Sequence, residues 1–172
     1  YLKKKYPNSK IALNFGNHTQ LLVAVILSAQ CTDKKVNEVT VNLFKKYKTV
    51  DDFASANPKV FEKEIHSAGF YRAKTKNIIA AANLIKKEFG GKLPRTMAEM
   101  IRIPGVARKT ANIVLGNAYG VVEGIAVDTH VKRFANVCGF STSQNPVQIE
   151  RDLMKIFPKK EWFSIVYRIV DH

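Results

Sequence analysis

The residues best suited to chemistry in this sequence lie in one short run, Ile103-Pro104-Gly105-Val106-Ala107-Arg108-Lys109-Thr110-Ala111-Asn112. Pro104 lacks an N–H and fixes φ, and Gly105 accepts a positive φ, so the pair predicts a tight turn that delivers the chain into a helix. The amides of Gly105, Val106 and Ala107 are expected to face outward, unpaired, at the positive end of that helix. Free amides there bind anions. Arg108, Lys109 and Thr110 add cationic and hydroxyl donors beside them, and a phosphate diester is the natural guest. An isolated Pro-Gly would read as a connector between core helices, but here the side-chain donors gather where amides are already free. A short distance on stands Val127-Asp128-Thr129-His130, in which Asp128 can serve as a helix N-cap, as a reactive carboxylate, or as both. His130 is read as a packing or hydrogen-bonding residue, the commoner role of a lone helical histidine.

These groups must be held by helices. Apolar residues recur at helical spacing over Met97–Ile101 before the turn. After it, Ala111, Val114, Leu115 and Ala118 do the same up to Gly120, which predicts helix, hairpin, helix. Upstream, the run Leu21–Ala29 is apolar almost all round and reads as a central buried helix beginning at Gln20 with Thr19 as cap; its end, Ser28–Asp33, turns polar abruptly. Thr32 or Asp33 caps a helix reaching about Tyr47. Thr49 and Asn57-Pro58 cap two short helices, the second ending at Gly69. Phe70–Phe89 predicts a long helix burying Ile78, Ile79, Ala82 and Ile85 and stopped by Gly90-Gly91. Val121–Val127 reads as a linker, followed by helices over Thr129–Val137, Val147–Ile156 and Trp162–Val170. No segment alternates as a strand would. The class is all-α, with nine or ten helices.

Charge narrows the partners. Twenty-eight Lys and Arg face 14 Asp and Glu, leaving a formal charge of +14. Such a field attracts polyanions, nucleic acid first and an anionic membrane surface second. The longest apolar run is too short to span a bilayer, and with no cationic stretch leading into an apolar core and cleavage site among the first residues given, export is not expected. Cys31 and Cys138 are expected to be buried free thiols in a reducing, intracellular compartment.

The hairpin with Lys109, followed by Val127-Asp128-Thr129-His130, resembles the endonuclease III family of helix-hairpin-helix DNA glycosylases. Leu27-Ser28-Ala29-Gln30-Cys31-Thr32-Asp33 and Gly69-Phe70-Tyr71-Arg72-Ala73-Lys74 extend the likeness in register over nearly the whole chain. Four matches in order are more specific than the hairpin alone, which also occurs in non-enzymatic DNA-binding proteins. The resemblance implies a six-helix barrel domain over residues 11–120, packed against a second helical lobe made of 1–10 and 121–172, with the hairpin and Asp128 flanking a groove. It implies a protein associated with DNA, acting on duplexes that contain damaged bases or abasic sites; a monomer is expected.

It also implies the chemistry. Lys109 would be the nucleophile at C1′ of the damaged nucleotide and Asp128 the carboxylate that assists it, giving glycosylase and strand-cleaving lyase activity from one amine. Gln30 resembles the plug that fills the place of an extruded base, and Phe70 stands at the position of an apolar wedge where the family usually has Leu. Gly105, Val106, Ala107, Arg108 and Thr110 would grip the phosphates; apart from the resemblance, Arg72, Lys74 and Lys76 taken together are expected to extend that surface by their charge, each alone reading as a solvated face. Oxidised pyrimidines are the expected lesions. The alternatives are a relative of the same fold acting on alkylated or mismatched bases, a non-enzymatic hairpin protein, and a basic ribosome-associated protein. The family typically carries a 4Fe-4S cluster in a loop after the last helix here; Cys31 and Cys138 do not match its ligands, and the expectation is a chain that stops short of that loop.

Overall fold

The computed structural model describes residues 1–172, and all of its regular structure is helical: α1 (Leu2–Lys5), α2 (His18–Leu27), α3 (Asp33–Lys46), α4 (Val50–Ala54), α5 (Pro58–Glu64), α6 (Tyr71–Glu88), α7 (Met97–Met100), α8 (Arg108–Tyr119), α9 (Thr129–Val137), α10 (Pro146–Ile156) and α11 (Trp162–Asp171), with short 3₁₀ turns at His66–Ala68 and Lys159–Glu161. Two compact units divide the chain, one of Ala12–Val114 and the other of Tyr1–Ile11 with Leu115–His172. No helix is long and apolar enough to cross a membrane.

The first unit forms around α2. Every residue of that helix from Gln20 to Leu27 is buried, so no face of it is left to water. Asn17, not Thr19, is its cap, accepting from the Gln20 amide, and the helix therefore starts two residues earlier than expected. The Gln20 side chain is satisfied by backbone: its Oε1 accepts from the Gly16 amide at 2.8 Å, and its Nε2 donates to the carbonyls of Phe44 and Tyr47. α3 and α6 pack against α2, and α4 and α5 pack against α6. Thr32 caps α3 and Asn57 caps α5, while Thr49 and Asp52 close a reciprocal capping box on α4. Tyr47, Phe53 and Phe61 form an aromatic cluster with centroids 5.2 to 6.2 Å apart, and the Tyr47 hydroxyl donates to Glu64 at 2.9 Å. Burying a side chain of this size contributes about 1.5–3 kcal/mol.

In the second unit α9 packs on α10 and α11, and α1 packs on α11. Glu161 ties the last pair, accepting from Lys3 at 3.1 Å and pairing with Arg168; these two cations hold its carboxyl below the usual range. Near the C-terminal end of α8, a Cβ on Gly116 would lie 2.3 Å from the Phe163 ring, so only glycine lets that ring seat. The segment expected to be a linker is irregular but not loose: Gly124 to Val127 are buried, Ile125 completely. Burial of apolar side chains, not hydrogen-bonded regularity, fixes the approach to Asp128.

Candidate active site

The hairpin is built as the Pro-Gly pair requires. Thr96 caps α7, Gly105 has φ +81°, and α8 begins at Arg108. The positive φ is one demand for glycine and packing is a second, because a Cβ here would lie 3.0 Å from the Cβ of Asn77 on α6. One expectation needs correction. The Val106 amide does not face outward: it donates to the Ile103 carbonyl at 3.0 Å, and the Val106 side chain enters the core. That bond closes the turn and removes Val106 from the expected donors, leaving Gly105 and Ala107, both exposed residues, as the remaining candidates. Beside them Arg108 and Lys109 are exposed and Thr110 is half-buried, while Ala111, Val114 and Leu115 anchor α8 in the core. Lys109 thus projects from the first turn of a firmly held helix.

Asp128 is the N-cap of α9. Its Oδ1 accepts from the Val131 amide at 2.8 Å, its backbone is extended, and it is half-buried. The cap uses one carboxylate oxygen, which fixes the group's orientation. Thr129 and His130 follow it into the first turn and are exposed.

Gln30 and Phe70 share a feature that the sequence did not announce. They are the two non-glycine residues with positive φ, +52° and +47°. Left-handed backbone at a residue with a Cβ costs about 1 kcal/mol or more and persists only where surrounding structure enforces it. Both residues are exposed, Phe70 to 65%. Phe70 is therefore not core: it stands at the N-terminus of α6 as a large apolar ring in water.

Lys74 overturns the view of it as a surface phosphate contact. It is 4% exposed, and its Nζ donates to the carbonyls of Leu27 at 2.8 Å and Ala68 at 2.9 Å. Burial pushes its amine below the ordinary lysine value. Arg72 and Lys76 remain exposed on the same helix. The cysteines also differ from expectation. Cys31, in the turn after α2, is half-buried, and Cys138, the C-cap of α9, is exposed, because both lie at helix ends and not on buried faces.

An all-helical protein with a Pro-Gly hairpin, an exposed lysine within it and a capping carboxylate at a helix start has the features expected of a helix-hairpin-helix protein that processes DNA. Residues 23–159 match the model of the HhH-GPD superfamily base excision DNA repair proteins. The chain is 47% identical over 171 residues to the endonuclease III of Synechocystis sp., a match covering 99% of this chain and 78% of that protein. Two solved structures, a non-covalent endonuclease III–DNA complex and a trapped endonuclease III–DNA covalent intermediate, each superpose with a TM-score of 0.94 at 41% identity, covering 98% of this chain and 79% of theirs. The chain belongs to the endonuclease III family of the HhH-GPD superfamily. It is a base-excision repair enzyme, a DNA glycosylase and abasic-site lyase. The readings as a non-enzymatic hairpin protein and as a ribosome-associated protein fall with that assignment.

The cluster implied by the family finds no ligand set within residues 1–172. The chain has two cysteines, they stand in different units, and no three His, Cys, Asp or Glu side chains gather to hold a metal ion. No step of the chemistry is routed through it.

Proposed function

We propose that the protein removes oxidised pyrimidines from duplex DNA, with Lys109 as nucleophile and Asp128 as the assisting carboxylate. The observation that carries this reading is the placement of Lys109: exposed, in the first turn of α8, beside Gly105 and Ala107 of the hairpin. A phosphate held by the amides of Gly105 and Ala107 with Arg108 and Thr110 brings the sugar backbone to that amine. The Lys109 nitrogen, in its neutral form, attacks C1′. The glycosidic bond breaks, its electron pair leaves with the base, and the base takes up a proton. Asp128 accepts the proton that the nitrogen sheds, or stabilises positive charge developing on the sugar. The adduct opens to an imine. Loss of a C2′ proton then expels the 3′ phosphate, and the strand is cut by β-elimination. The base must first leave the stack; Phe70 wedges the helix open and Gln30 fills the vacancy.

The exposure and left-handed backbone of both residues support those roles. The oxidised-pyrimidine reading rests on the likeness to endonuclease III, and release of bases from a panel of oxidised, alkylated and mismatched duplexes separates it from the other lesion classes. The enzyme acts as a monomer. Lys109→Gln should leave duplex binding within a few-fold of wild type while abolishing strand cleavage and borohydride trapping on damaged DNA. Trapping that survives in this variant overturns the assignment of the nucleophile.

A further inference from the structure

Lys74 is the most deeply buried lysine of the first unit, and the mechanism above does not use it. Its two acceptors are placed informatively. Leu27 is the last residue of α2, three before Gln30, and Ala68 is the last residue of the 3₁₀ turn, two before Phe70. The Lys74 amide also donates to the Phe70 carbonyl at 3.0 Å, the first bond of α6. One residue therefore holds three carbonyls, one leading into the Gln30 turn and two bracketing Phe70. The two turns it joins lie far apart in the chain, yet they carry the protein's two non-glycine residues of left-handed backbone. A strained conformation at an exposed tip needs a rigid base, and a buried cation on two carbonyls supplies one.

We propose that Lys74 is a positioning residue for DNA distortion: its bonds to Leu27 and Ala68 fix the Gln30 and Phe70 turns to one another, so that plug and wedge enter the duplex as one rigid unit. The inference rests on the reading of Gln30 and Phe70 as the inserting residues. Its consequence is specific to extrusion. Chemistry at Lys109 on a nucleotide that needs little extrusion should be indifferent to Lys74, whereas release of a stacked, paired base should depend on it.

The test compares, in the complete enzyme, single-turnover release of an oxidised pyrimidine from duplex DNA with lyase cleavage of a preformed abasic site in single-stranded DNA. The variants are Lys74→Met, Gln30→Ala, Phe70→Ala and the double variants of Lys74→Met with each. Lys74→Met should lower duplex base release about tenfold or more, the scale on which small misplacements act, with little change in single-strand lyase rate. A 2-aminopurine beside the lesion should report less unstacking on binding. In the double variants the losses should fall well short of multiplicative, since Lys74 acts through the partner already removed. Lys74→Gln, which keeps a donor on a shorter stem, should lie between wild type and Lys74→Met, and it carries the same comparison if Lys74→Met does not fold.

Equal loss of both activities, or losses that multiply in the double variants, would overturn the proposal. If instead Gln30→Ala and Phe70→Ala leave duplex release unchanged, the underlying reading of those residues fails, and the two failures are told apart.

Discussion

At the scale of single residues, the cap that Asp128 makes and the catalytic role proposed for it can be separated by substitution. Its carboxylate caps α9 through the Val131 amide, and the cap is a property of an oxygen acceptor, not of charge. Asp128→Asn should keep thermal stability within about 0.5 kcal/mol, because Asn caps as well as Asp, while Asp128→Ala should lose about 1 kcal/mol. Both should lower single-turnover base release by about 10²-fold, the usual scale for loss of a positioned acid–base group. Thermal unfolding alongside base-release kinetics gives the two readouts. The Asp128 cap could be seen in the sequence because a cap is local: Asp, then a helical apolar pattern. The burial of Lys74 could not, since one of its carbonyl partners lies 47 residues away and nothing in its neighbours marks it as different from exposed Lys76. Val106 shows the same limit at short range, its amide being spent on a carbonyl three residues back that a count of helix-terminal donors leaves out.

At the scale of elements, α6 joins most of the first-unit residues proposed to meet DNA. Phe70 opens it, Lys74 holds the adjoining turns, and Asn77, one turn on, receives the hairpin at Gly105. Gly105→Ala should therefore act twice, by straining a backbone at φ +81° and by pushing on Asn77. We expect a stability loss of about 1–2 kcal/mol in denaturant unfolding, and weaker binding to damaged and undamaged duplex alike in equilibrium titration. The helices themselves were legible wherever a cap or a glycine stop stood at the boundary: Thr32, Thr49, Asn57-Pro58 and Gly90-Gly91 all mark ends that the structure shows. Thr19 misled because Asn17, two residues earlier, offers the better acceptor. The left-handed backbone of Gln30 and Phe70 was not legible, since neither residue type favours it and only the packing beneath imposes it.

At the scale of the whole molecule, the charge of +14 governs encounter with DNA. The logarithm of the association constant for undamaged duplex should fall linearly with the logarithm of salt concentration, by about 0.9 for each phosphate neutralised. Arg108→Ala should reduce that slope by about one and weaken damaged and undamaged duplex in proportion; a salt titration by fluorescence anisotropy measures both. The enclosure of α2 bears on how such an enzyme can change over generations. A helix with no wet side has no margin for rotation, insertion or exchange of a large side chain for a polar one, so drift over generations is barred from its interior and left to the exposed faces of the helices around it. Homologues should therefore differ first at exposed positions such as those of α3 and α5, while that middle stays nearly the same.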